Sequence, residues 1–222
     1  MSWSQGSRKD KPLAGSSKTQ PLSAFDRLYL WFFYLMRSFQ YDLPENRVGW
    51  RSRHNQEIRF RLLTGIGDIN GKSILDLGCG LGCFYGYLKA RGWHGDYTGM
   101  DTLDLMVKGA RRRYPGVKFE KHDILENPPH QQWDYLFISG VFNHRVRDNW
   151  AWVEQMVGAA FGSVDKGLAF NILSADCPWK DGDLFYADPS VLEDKVKLWT
   201  GGKYKIVKGY LPGEDMTVYL YK

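Results

Sequence analysis

Cysteine is scarce in this chain: Cys79, Cys83 and Cys177 are the only three in 222 residues. Three thiols make no disulfide framework, and they contain no paired Cys-x-x-Cys metal pattern. Reduced thiols of the cytosol fit this usage, so a cytoplasmic location is expected. Long apolar runs are also missing. The strongest, Leu28 to Met36, stops well short of the ~20 residues of a spanning helix, which excludes a transmembrane segment of that kind. Residues 1–20 are polar and rich in Gly, Ser and Lys, without the apolar centre of a secretory signal. Nor is there a large excess of one charge, because 30 Lys and Arg stand against 25 Asp and Glu, a net +5. The tightest basic cluster, Arg111-Arg112-Arg113, falls where a helix is expected to end, and cations there complement the helix dipole. Dedicated nucleic-acid binders gather such residues on one face, whereas here they are spread along the chain. No internal repeat is visible.

What is present suits one α/β domain with a sizeable core and some accessory structure. Residues 1–22 read as a flexible tail and 23–70 as a helical extension. The first helix is expected from an N-cap at Ser23 to Phe39, with Phe25, Leu28, Phe32, Leu35 and Phe39 in one stripe. Trp31, Phe33 and Tyr34 make its opposite face apolar too, so a second surface needs covering by protein, substrate or lipid. The second helix, Ser52 to Ile69, carries Ile58, Leu62, Ile66 and Ile69 at helical spacing. Its arginines, Arg51, Arg53, Arg59 and Arg61, read as a solvated face.

From residue 71 to 222, short apolar runs alternate with amphipathic stretches, the pattern of repeated βα units. Strands are expected at 73–77, 95–100, 117–121, 134–139 and 167–173. Two final alternating runs, 204–208 and 216–220, are joined by a turn at Pro212-Gly213 and suggest an antiparallel finish.

The first strand ends in Asp76-Leu77-Gly78-Cys79-Gly80-Leu81-Gly82 and opens into a helix, the setting for a nucleotide-like ligand. A dinucleotide fingerprint would need glycine where Cys83 stands, and no Gly-Lys-Ser/Thr follows for a Walker-type loop. Asp76 would repel a pyrophosphate and suits an ammonium. Asp101, closing the second strand, can accept from both ribose hydroxyls. Asp123, after the third strand, is in reach of an adenine amino group. Ammonium, ribose and adenine without phosphate together describe S-adenosylmethionine.

The run Ile74 to Gly82 resembles motif I of the class I S-adenosylmethionine-dependent methyltransferases. Tyr97-Thr98-Gly99-Met100-Asp101 is similar to their second motif, Lys121-His122-Asp123-Ile124 to their adenine-side motif, and Trp133 to Phe142 to their fourth-strand motif. The resemblance spans roughly residues 70 to 222. It implies a Rossmann-like three-layer sandwich, with a seven-stranded, mostly parallel sheet whose last strand is antiparallel. S-adenosylmethionine is the implied cofactor, with Asp76, Gly78, Cys79, Gly80, Asp101, Thr102, Asp123, Ile124 and Ser139 as its binding residues. Cys79 counts there only as a small residue in a tight turn, and Phe142 either covers adenine or packs.

The chemistry is an in-line displacement in which positioning does most of the work, on the order of 7–11 kcal/mol. His144 is the candidate general base, because an imidazole pKa of about 6.5 suits proton abstraction near neutrality. Asn143 is the candidate substrate-orienting partner, and Arg145 a candidate for pairing with an anionic group. The Asn/Asp-Pro-Pro-aromatic run of DNA amino methylation is missing. Ser139 stands where metal-dependent catechol-type enzymes place Asp, so no metal is expected. The aromatic helix, the segment around Trp50 and the loop Cys177 to Tyr186 are expected to close over the site. A small molecule or sugar, methylated at oxygen, is the leading acceptor. The alternatives are a tRNA or rRNA methyltransferase, a scaffold that kept the fold and lost catalysis, and a peripheral membrane association through the aromatic helix.

Overall fold

The computed structural model describes residues 22–49, 52–211 and 215–222. The expected tail therefore lies outside the described residues, except Leu22, which packs against the main core. Trp50, Arg51 and the turn at Pro212-Gly213 also lie outside them. Among the described residues, the strands are β1 (Ser73–Leu77), β2 (Asp96–Asp101), β3 (Lys118–Lys121), β4 (Trp133–Ile138), β5 (Val164–Leu173), β6 (Tyr204–Lys208) and β7 (Asp215–Tyr221). They form one sheet in the order β3-β2-β1-β4-β5-β7-β6. Only β7 runs antiparallel, pairing with β5 on one side and β6 on the other. This is the mostly parallel seven-stranded sheet that the sequence implied. β1 and β6 have the expected ends, and the other strands shift by one to three residues, most at β5, which begins at Val164.

Helices cover both faces, because strands buried on two sides present apolar residues in both directions. Leu75 and Leu77 join the cluster built with β4, β5, α6 (Asn149–Gly162) and α7 (Pro189–Thr200). Ile74 faces the opposite cluster, shared with α3 (Arg53–Leu63), α4 (Cys83–Ala90) and α5 (Asp104–Arg113). Each side chain so buried contributes about 1.5–3 kcal/mol. Local chemistry sets the helix ends. Asp188 caps α7 with Pro189 in its first turn, and Gly201 ends it at φ +62°.

The N-terminal extension departs from its sequence pattern in two ways. α1 (Ala24–Gln40) starts as expected, with a capping box between Ser23 and Asp26. A single turn, α2 (Pro44–Arg47), follows it. The stripe Phe25, Leu28, Phe32, Phe39 points to solvent, whereas Phe33 and Tyr34 face inward. In α3 the buried face is Gln56, Arg59, Phe60 and Leu63, not the one marked by Ile58 and Leu62. Arg59 causes the rotation. Expected to be solvated, it is 3% exposed and ion-paired to the equally buried Asp215 on β7. That pair fastens the extension to the far side of the sheet.

Candidate active site

Strand order reverses between β1 and β4, which opens a crevice at their carboxyl ends. The glycine turn sits in that crevice. Gly78 adopts φ +76°, and a Cβ there would lie 2.2 Å from Val141 Cγ2, so both backbone and space demand glycine. Four of the turn's amides are engaged inside the protein. Gly78 N and Cys79 N both donate to Met100 O (2.7 and 3.0 Å), and Gly82 N donates to Cys79 O (2.9 Å). Gly80 N donates to Asp101 Oδ2 (2.9 Å). Phosphate-cradling loops aim such N–H groups at the ligand, and these four are unavailable for that. The Cys79 thiol is buried, and burial pushes its pKa well above the ordinary value, so it is no nucleophile.

Asp76 lies within β1, 2% exposed, and lines the crevice. Tyr97 Oη donates to its Oδ2 at 2.5 Å, and no cation pairs with it among the described residues. Burial raises its pKa to about 7; the Tyr97 hydrogen bond opposes the shift and the nearby Asp101 charge adds to it. Asp101 ends β2 and accepts from Leu103 N through Oδ1 (2.9 Å) as well as from Gly80. Burial raises its pKa, against the pull of these backbone bonds. Asp123 accepts from Leu125 N (3.0 Å) and pairs with Arg27 of α1 (3.1 Å). The same Arg27 nitrogen reaches Glu126 (3.0 Å).

Beyond β4 the chain turns at Gly140 through a short 3-10 turn, Val141–Asn143, to His144. Asn171 of β5 fixes this corner, accepting from Gly140 N (2.9 Å) and donating to Ser139 Oγ (3.3 Å). Phe142 is fully buried against Trp152 and Phe170, so it packs rather than covering a ligand. His144 is buried, with its ring set edgewise against Tyr29, Phe33 and Tyr34, and Tyr34 Oη lies 3.3 Å from Nε2. An ordinary imidazole pKa was expected here. Instead burial lowers it to about 4, helped by the Arg37 charge, so the ring is neutral at pH 7. His144 Nδ1 and Asn143 Oδ1 are buried without a hydrogen-bond partner among the described residues. Arg145 is exposed, close to the Leu184 carbonyl (3.4 Å).

One cavity of about 770 Å³ brings the expected residues together: Asp76, Gly78, Cys79, Gly80, Asp101, Thr102, Asp123, Ile124, Ser139, Asn143 and His144 all line it. Trp31, Phe33 and Tyr34 of α1 also line it, as do Trp179 and Tyr186 of the following loop. Tyr29 of the aromatic helix does not, nor does Phe185 of the loop, which packs on Trp150 instead. The sequence reading missed Tyr97, Asn171 and Arg27. A polar residue inside the apolar run of β5 was the one available signal for Asn171.

A sheet of this order, with a glycine turn after its central first strand, defines an α/β fold for nucleoside-bearing ligands. A family model described as a methyltransferase domain matches residues 74–159. Putative methyltransferase Rv1506c of Mycobacterium tuberculosis is 37% identical over 131 residues, covering 56% of this chain and 78% of that protein. A trans-aconitate 2-methyltransferase of Methylobacterium nodulans is 41% identical over 68 residues, covering 31% of this chain and 26% of that protein. Among solved structures, magnesium protoporphyrin IX methyltransferase of Synechocystis with bound S-adenosylmethionine superposes with a TM-score of 0.61 at 14% identity, covering 88% of this chain and 97% of that one. The chain belongs to the class I S-adenosylmethionine-dependent methyltransferase family. It is an enzyme of that family, and S-adenosylmethionine is its cofactor.

Proposed function

We propose that the chain methylates a hydroxyl oxygen of a small molecule or sugar held in the cavity beneath α1. The observation that carries this reading is a pair of buried polar atoms without a partner among the described residues, Asn143 Oδ1 and His144 Nδ1, at the β4 end of that cavity. A buried acceptor left unsatisfied costs about 1–3 kcal/mol. With the ring proton on Nε2, donated to Tyr34 Oη, Nδ1 is an acceptor and a ligand offering two O–H donors would relieve both. The aromatic side chains Phe33 and Tyr34 beside them suit the apolar body of such a ligand.

At the other end, Asp76 fits an ammonium group: it is a buried carboxyl facing the cavity with no cation beside it. Asp101 has lone pairs left for ribose hydroxyls after its two backbone bonds, and the engaged loop amides fit a ligand without phosphate. Thr102 and Ile124 border the same region, and Ser139 the junction between the two ends. Asp123 would meet the adenine amino group beside the Arg27 ion pair. S-adenosylmethionine, when bound, supplies a methyl group activated by its positive sulfur. The chain's own contribution is then orientation. His144, neutral with a pKa of about 4, accepts the hydrogen bond of the acceptor hydroxyl and holds it. Too weak a base to ionise an ordinary alcohol beforehand, it would take the hydroxyl proton as the oxygen–methyl bond forms and the methyl–sulfur bond breaks, when that proton becomes strongly acidic, and pass it to water.

The test is to incubate the protein with methyl-labelled cofactor and a cell extract separated into low-mass, RNA and protein fractions. Label is expected in the low-mass fraction, and label confined to RNA or protein would end the proposal. His144→Phe is expected to cut the transfer rate at least tenfold while cofactor affinity stays within about twofold, since a lost hydrogen bond of about 1.5 kcal/mol acts only on the acceptor.

A further inference from the structure

We infer that the outer face of α1 seats on an anionic lipid bilayer and carries the mouth of the cavity to the membrane surface. The helix has two apolar faces with different fates. Leu30, Phe33 and Tyr34 turn inward and line the cavity. Phe25 (77% exposed), Leu28 (61%), Phe32 (54%), Met36 (48%) and Phe39 (80%) turn outward; Leu43, beyond the helix end, is exposed as well (58%). Their spacing of three and four residues keeps them on one side of the helix. Of ten exposed large apolar side chains among the described residues, seven lie between Phe25 and Leu43. So concentrated a patch marks an interaction surface rather than scattered surface residues.

Charge selects the occupant. The only acidic residue of α1, Asp26, is turned inward, bonded to Ser23 and to Arg147 N, so the outward side of α1 carries no carboxylate, and the exposed Asp42 lies beyond its end. The 21 residues preceding this face hold Arg8, Lys9, Lys11 and Lys18 against a single Asp10. An apolar helix face preceded in sequence by a cationic segment is the combination that anionic lipid headgroups attract. A second copy would instead set like charges against each other. Trp31 and Trp179, both on the cavity rim and 46% and 70% exposed, carry the side chain most at home at a lipid–water boundary. The association is peripheral, because no helix among the described residues is long and apolar enough to cross a membrane.

Flotation of the full chain tests this, with vesicles of phosphatidylcholine alone and of an equimolar mixture with phosphatidylglycerol. The protein is expected to float with the mixed vesicles, far less with phosphatidylcholine, and to be released by salt. Phe32→Ser with Phe39→Ser should weaken binding at least tenfold, as expected for removing two inserted aromatic side chains, while cofactor binding shows that the variant is folded. Absence of the wild-type chain from both vesicle fractions overturns the inference. So does a wild-type dimer in solution that becomes monomeric in the double variant, which would assign the face to a second copy. Because the seat is independent of the acceptor chemistry, a failed flotation leaves the proposed reaction standing, and the converse holds as well.

Discussion

Replacing Asp76 by Asn removes the charge that sets the electrostatics of the crevice while keeping an oxygen to accept from Tyr97. The Asp76 carboxyl is held at about 7 by burial, against an ordinary 3.8. A buried acid raised in this way costs the free protein nothing below its unfolded pKa. The cost grows as pH rises from there and is complete above about 7, where it reaches about 4 kcal/mol. The Asn variant is therefore expected to be more stable than the wild type at pH 8 and equal to it near pH 4, measured by denaturant unfolding without ligand. Cofactor binding runs the other way. Only the ionised carboxylate attracts an ammonium, and its population rises roughly fiftyfold between pH 5 and 7 for a pKa of about 7. Over that window an α-amino group, with a pKa of about 7.7–8.0, stays protonated, so the change belongs to the protein. Calorimetric titration of the wild type should show affinity climbing towards that factor from pH 5 to 7 and levelling beyond. The Asn variant should bind weakly with a flat profile. A flat wild-type profile, or the same slope in the variant, would mean that the Asp76 carboxyl does not govern cofactor binding.

Other consequences follow from the same contacts. Asp101→Ala should weaken cofactor binding by about 1–3 kcal/mol through lost charge-assisted hydrogen bonds, and Asp101→Asn by less, checked by calorimetry. Gly78→Ala should destabilise the fold, because the new Cβ would meet Val141 Cγ2 at 2.2 Å in a left-handed turn. Adding Val141→Ala should recover the steric part and leave the backbone part, about 1 kcal/mol, in denaturant unfolding. Asp215→Asn should destabilise the fold by removing the charged half of the buried Arg59–Asp215 pair, measured the same way.

Much of the core was legible because its signals are local. β1 lies where its apolar run predicted, and the seven strands follow the alternation of apolar and turn residues. The glycine turn and the acids Asp76 within β1, Asp101 at the end of β2 and Asp123 after β3 line one cavity, as their spacing implied. What escaped depends on partners distant in sequence. The buried face of α3 was misplaced because Arg59 is neutralised by Asp215, 156 residues away. α1 is apolar on both sides, so periodicity alone could not say which side meets the cavity. His144 reads locally as a loop residue, yet Tyr29, Phe33 and Tyr34, more than a hundred positions earlier, enclose it and lower its pKa. The Arg27 ion pair with Asp123 left no trace in the neighbourhood of either residue.

The most direct trial is an equilibrium titration of the wild-type protein at pH 7.5 with S-adenosylmethionine and, separately, with nicotinamide adenine dinucleotide. Saturable binding of the first and none of the second is the predicted result, since the turn offers carboxylates and engaged amides rather than free donors for a pyrophosphate. Comparable binding of the dinucleotide, or none of the sulfonium compound, would contradict it.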